Sequence, residues 1–160
     1  MRHSLQPPWN VACRAAVVIM SVLAIATGVR ADALSPEDKA RLAKLDAGPK
    51  TIDVSKYPAE QKTAYGLFTK KCAKCHSIAR PINTTFVLPD EWQRYIKRMM
   101  YKPDSKLSET DAKAIYRFLT YDSSVRKAGS LRTHLAALPA EQREEQIEKI
   151  KALNPAFEEK

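Results

Sequence analysis

"KKCAKCHSIARP", residues 70–81, sets two cysteines three positions apart with a histidine directly behind the second. Three chemistries use such a pair: a structural zinc clip, a redox dithiol, or the covalent attachment of a larger group. The choice decides the fold, because only the last would put a bulky apolar body inside a small chain.

The first 33 residues do not read as part of a folded domain. A basic start with Arg2 and Arg14 runs into the apolar stretch Ala15 to Val29, and "VRADA" offers cleavage points after Ala31 or Ala33. Charged start, apolar middle and small-residue end are the parts of a secretory signal peptide. The stretch is 15 residues long, short of the ~20 that span a bilayer, so a membrane role is expected only if the signal stays uncleaved. Cys13 leaves with the signal. Residues 34–160 then hold 24 basic and 17 acidic residues, a net charge of +7, and keep only Cys72 and Cys75. Export would place the chain in the bacterial periplasm, where disulfides form readily. A disulfide across so tight a loop adds little by loop closure, so this pair reads as chemistry. The positive charge is not matched by any nucleic-acid-binding motif, and it suits an acidic protein partner better.

The pattern beyond residue 33 is helical throughout. "SPEDKARLAKLDAG" opens on Ser35 as cap with Pro36 behind it and stops at Gly48. Residues 34–56 are thus expected to be an N-terminal helix and linker. A second helix starts at Pro58 and carries Ala64, Tyr65, Phe68 and Cys72 at helical spacing. "SIARPINTTFVLP" reads as an irregular loop. "PDEWQRYIKRMMYKP" is a helix with Trp92, Tyr95, Ile96, Met99 and Met100 on one side. "KLSETDAKAIYRFLTYDSS" is another, capped by Ser108, with Ile115, Phe118 and Leu119 as its apolar face. The core domain is expected at 57–122, and 123–160 is expected to be a charged helical tail with a weak stripe of Ile147, Ile150 and Leu153. About 66 residues with few large aliphatics make a marginal core. Something apolar should fill its middle.

That need helps decide the motif. A zinc site wants four ligands; residues 34–160 offer only Cys72, Cys75, His76 and a distant His134, and adjacent Cys75 and His76 are awkward on one ion. A thioredoxin-like dithiol belongs in a βαβ setting, and no strand pattern is present. C-x-x-C-H is the attachment pattern of covalent haem. Two thiols on one helical turn reach the two vinyl groups of one porphyrin, and His76 is aimed at its iron. One haem c, held by Cys72 and Cys75, is the expected cofactor.

On these residues the chain resembles the class I c-type cytochromes in their short, single-haem bacterial form. Phe68 matches the aromatic of that family's N-terminal helix, and Ile115, Phe118 and Leu119 match its C-terminal helix. The resemblance covers residues 57–122. It implies an all-α domain of three to four helices around one haem, with Phe118 packed over the small Ala64. No Gly-Pro pair follows the motif, so the carbonyl that orients His76 has no assigned position; Pro81 and Pro89 are candidates.

The sixth iron ligand decides function, since an open iron binds gases or peroxide and a second protein ligand makes an electron carrier. Met1, Met20 and His3 fall in the signal, leaving Met99, Met100 and His134. Trp92, Ile96 and Met99 share one helix face, and "WQRYIKRM" resembles the stretch that carries the distal methionine in related short cytochromes. Met99 is favoured and Met100 is the alternative; both could instead be core packing. Trp92 and Tyr95 are candidates for the haem wall, and Arg80, Arg94 and Arg98 for its propionates. No acidic residue falls between Gln61 and Pro89, while Lys62, Lys70, Lys71, Lys74 and Arg80 do. Such a collar would steer an acidic redox partner. The expected function is an exported single-electron carrier and not an enzyme. A haem-based ligand-binding or peroxidase-like protein is the alternative, as is an electron-transfer subunit of a larger complex with 125–160 as its docking helix.

Overall fold

The computed structural model describes residues 34–159, and the expected signal sequence lies outside them. Seven helices and no strand occur among the described residues: α1 Pro36–Asp46, α2 Ala59–Cys72, α3 Ala79–Asn83, α4 Pro89–Met100, α5 Glu109–Arg126, α6 Ala128–Ala136 and α7 Ala140–Lys151. The all-α reading therefore holds. None of these helices is long and apolar enough to cross a membrane.

The helix ends follow local chemistry. Ser35 accepts a hydrogen bond from the Asp38 N–H, and Ser108 does the same for Asp111, so two helices start on side-chain caps. At α4, Glu91 Oε2 accepts from the Val87 and Leu88 N–H groups at 2.9 and 2.8 Å, closing the turn that Pro89 opens. The stretch 77–89 is not wholly irregular. α3 forms there despite Pro81, which sits in the first turn, where its missing N–H has no intrahelical partner to lose.

α2 and α5 make the most extensive helix pair, followed by α4 and α5. Phe68 and Phe118 are fully buried between the first two, with ring centroids 5.4 Å apart, and Tyr65 lies at the same distance from Phe118. The implied pairing of these two helices is thus present, with Tyr65 and Phe68 as the aromatic partners of Phe118; Ala64 lies partly buried against the same cluster. Burying large aromatics at this crossing is the main favourable term in a core this small.

The domain limits at 56/57 and 122/123 need correction. Residues from Leu34 onward make one compact unit, and α5 runs straight through position 122. The segment 123–160 is no loose tail: Leu131, Leu135, Ile147, Ile150 and Phe157 build a second apolar cluster with Val87, against α4 and α5. Ile147 and Ile150 from the expected stripe belong to it. The stripe looked weak because its other half lies on α6 and on Phe157, beyond the reach of single-helix periodicity.

Buried polar ties bind these layers. Asp122, fully buried, accepts from the Tyr57 hydroxyl and pairs with Arg126. Trp92 Nε1 donates to Ser123 Oγ at 2.8 Å. Lys127 reaches back from the α5–α6 junction, donating to the carbonyls of Thr84 and Phe86 at 2.7 and 3.3 Å with its ammonium 5.5 Å from the Trp92 ring centroid. That side chain fixes the 84–88 loop on the core.

Candidate functional site

α2 ends at Cys72, and the chain turns through Ala73 and Lys74 to bring Cys75 and His76 to the same side. Cys72 is partly buried and Cys75 exposed, and both are free thiols. They face a cavity of about 530 Å³ whose lining also includes His76 and Met99. Its volume falls within the ~300–1,000 Å³ typical of cofactor sites. Four residues expected at one site thus meet, from two segments some twenty positions apart.

The two methionines of α4 part company. Met99 lines this cavity, whereas Met100 lines a separate groove with Ile96, Ala112 and Tyr116, between α4, α5 and α7. Consecutive helical residues are 100° apart around the axis, so one cannot replace the other without turning the helix. His134 lies on α6 and is not among the cavity residues.

His76 has a defined orientation. Its Nδ1 lies 2.9 Å from the Ser77 carbonyl oxygen. A carbonyl only accepts, so Nδ1 carries the proton and Nε2 keeps its lone pair free for a metal. The carbonyl at the His76 ring is that of Ser77, and neither Pro81 nor Pro89 bonds to it. Burial pushes the Cys72 thiol up to about 12. A redox dithiol needs the opposite shift, towards a stable thiolate. Cys72, Cys75 and His76 share the cavity lining, but among the described residues no three His, Cys, Asp or Glu side chains are grouped so as to hold one metal ion, and a structural zinc site needs four ligands.

The walls are apolar and the polar lining is cationic. Phe86 and Tyr95, with centroids 5.9 Å apart, form one side. Trp92 stands behind them in edge contact with both and does not reach the cavity, so its role is core packing. Arg41, Lys71, Arg80, Arg98 and Lys102 line the space with no acidic side chain among them. Three are paired elsewhere: Arg41 with Asp38, Lys71 with Asp111 and Arg80 with Asp46. Arg98 and Lys102 have no carboxylate partner among the described residues; Arg98 stands on the last turn of α4 and Lys102 just beyond its end, and both line the cavity. Arg94 does not line the cavity.

Sequence reading missed the contribution of α1, whose Leu42 and Leu45 form part of the wall, and that of Leu107. A signal was present. Leu42 and Leu45 are the only large apolar residues of an otherwise polar helix, spaced to share one face. Comparison with known proteins finds no matching family model, no similar curated protein and no similar solved structure.

Proposed function

We propose that the chain is a single-haem c-type cytochrome of the bacterial periplasm that carries single electrons between redox partners and performs no chemistry on a bound substrate. The observation that carries this reading is the convergence of Cys72, Cys75, His76 and Met99 on one cavity. The donor set fits the group. Cys72 and Cys75 would hold it as thioethers, each S–H adding across one vinyl group, sulfur to one carbon and hydrogen to the other. His76 Nε2 and the Met99 sulfur would be the protein's two donors to its iron, a nitrogen and a thioether, and such a pair suits a high-potential electron carrier. The apolar walls suit the macrocycle, and the unpaired Arg98 and Lys102 suit its two carboxylates. When bound, haem supplies a one-electron couple at its iron.

The chain's residues do the remaining work. The Ser77 carbonyl holds the proton on Nδ1 and so keeps Nε2 basic. Phe86, Tyr95, Leu42 and Leu45 keep water from the site, which raises the potential. Lys70 and Lys74 stay exposed beside the attachment turn and are the docking charges for an acidic partner, while Lys71 and Arg80 are committed to internal pairs. The test is expression of the full chain in a bacterium that attaches haem to exported proteins. A covalently held haem, seen in the pyridine haemochrome spectrum and surviving denaturing electrophoresis, is expected, and Cys72→Ser with Cys75→Ser should abolish it. Unaltered protein that exports without covalent haem would sink the proposal.

A further inference from the structure

α1 is placed oddly for a helix of the core. None of its residues is buried, and among the described helices it contacts α3 alone. Its attachments gather at one end. Arg80 of α3 grips Asp46 through two hydrogen bonds, Nε to Oδ1 at 3.1 Å and Nη2 to Oδ2 at 2.5 Å. Asn83 Nδ2 lies 3.1 Å from the Leu45 carbonyl and 3.0 Å from that of Pro49. Gly48 permits this approach, since any side chain there would collide with the Asn83 amide. At the other end the polar ties are local, Ser35 to Asp38 and Arg41 to Asp38, and Leu34 is half exposed at the rim of the cavity. Between the two, Leu42 and Leu45 face the cavity.

We propose that α1 is a hinged cover of the cofactor site, latched by the Asp46–Arg80 pair, and that Asp46 and Arg80 are positioning residues for it. This rests on the haem reading given above. The latch stands on α3, which begins three residues after His76. One short segment therefore carries both an iron ligand and the clasp of the cover over it. A cover without buried anchors depends on its few polar ties, because little apolar area holds it down. Arg80, offered by its charge as a propionate partner, serves this clasp instead, and Arg98 with Lys102 are left for the carboxylates.

The test compares the haem-loaded full chain with Asp46→Arg, Arg80→Glu and the double exchange Asp46→Arg with Arg80→Glu. The readouts are amide hydrogen exchange and the association rate of imidazole followed by absorbance. Each single variant should speed exchange across 34–48 and across 70–78, and speed imidazole entry, by about two- to fivefold. The double variant should restore all three, which a misfolded protein would not. Unchanged exchange in 34–48 overturns the latch. Faster exchange in 34–48 with 70–78 and imidazole entry unmoved overturns the cover alone. Absence of covalent haem in the unaltered protein overturns the haem reading and the cover with it.

Discussion

At the scale of single residues, the decisive contrast lies between neighbours. Met99 and Met100 are the same residue type, adjacent on the same helix, yet they serve different spaces. The sequence favoured Met99 by its spacing from Trp92, but that argument would have failed had the helix been rotated by one position. With Met99 as the distal donor, Met99→Ala should lose the far-red methionine–iron absorption band and gain carbon monoxide binding in the reduced state. Met100→Ala should keep the band and cost on the order of 1 kcal/mol of stability from its partly buried groove. A band that persists in Met99→Ala would show that Met99 is not the ligand. His76 illustrates the same limit from the other side. Its place behind Cys75 is plain in the chain, whereas the Ser77 carbonyl that orients it follows from the turn geometry.

At the scale of elements, the junctions carry more information than the helices. The 84–88 loop, with Thr84 and Phe86 on the cavity, is held by a residue forty positions later. Burial pushes the Lys127 ammonium down to about 8, with Arg126 beside it acting the same way and Asp122 and Glu91 opposing. The unfolded chain keeps its lysine protonated to near 10.5, so between about pH 8 and 10.5 it binds more protons than the folded one. Stability therefore gains a contribution that rises with pH across that window, by at most about 1.4 kcal/mol per pH unit. Lys127→Met should flatten the rise, as measured by urea unfolding at several pH values between 7 and 10. It should also loosen the loop, since two carbonyls lose their donor. An identical pH profile in the variant would show that Lys127 does not titrate as a buried clasp.

At the scale of the whole molecule, the charged C-terminal third changes status. Read along the chain, 123–160 was a charged helical tail, and 125–160 a docking helix in one alternative reading. In the fold it supplies five buried apolar side chains to a shared cluster. At about 1.5–3 kcal/mol each, their loss rivals the ~5–15 kcal/mol that stabilises a whole domain. A chain ending at Arg126 should therefore fail to unfold cooperatively by circular dichroism. A truncated form that keeps a sharp thermal transition and the haem spectrum would restore the docking-tail reading.

The sequence by itself determined α1, α2, α4 and α5, the caps at Ser35 and Ser108, and the C-x-x-C-H turn at 72–76. These are local: a cap bonds three residues on, and C-x-x-C-H spans one turn. It also marked Phe68 and Phe118 as core, because their helical periodicity is strong. Only the tertiary structure decided which methionine shares a cavity with His76, where α1 lies, that Arg80 belongs to Asp46, and that the tail is core. Each of those depends on how one helix is rotated or set against another. Such placement is fixed by packing between segments distant in the chain, and no pattern along one segment encodes it.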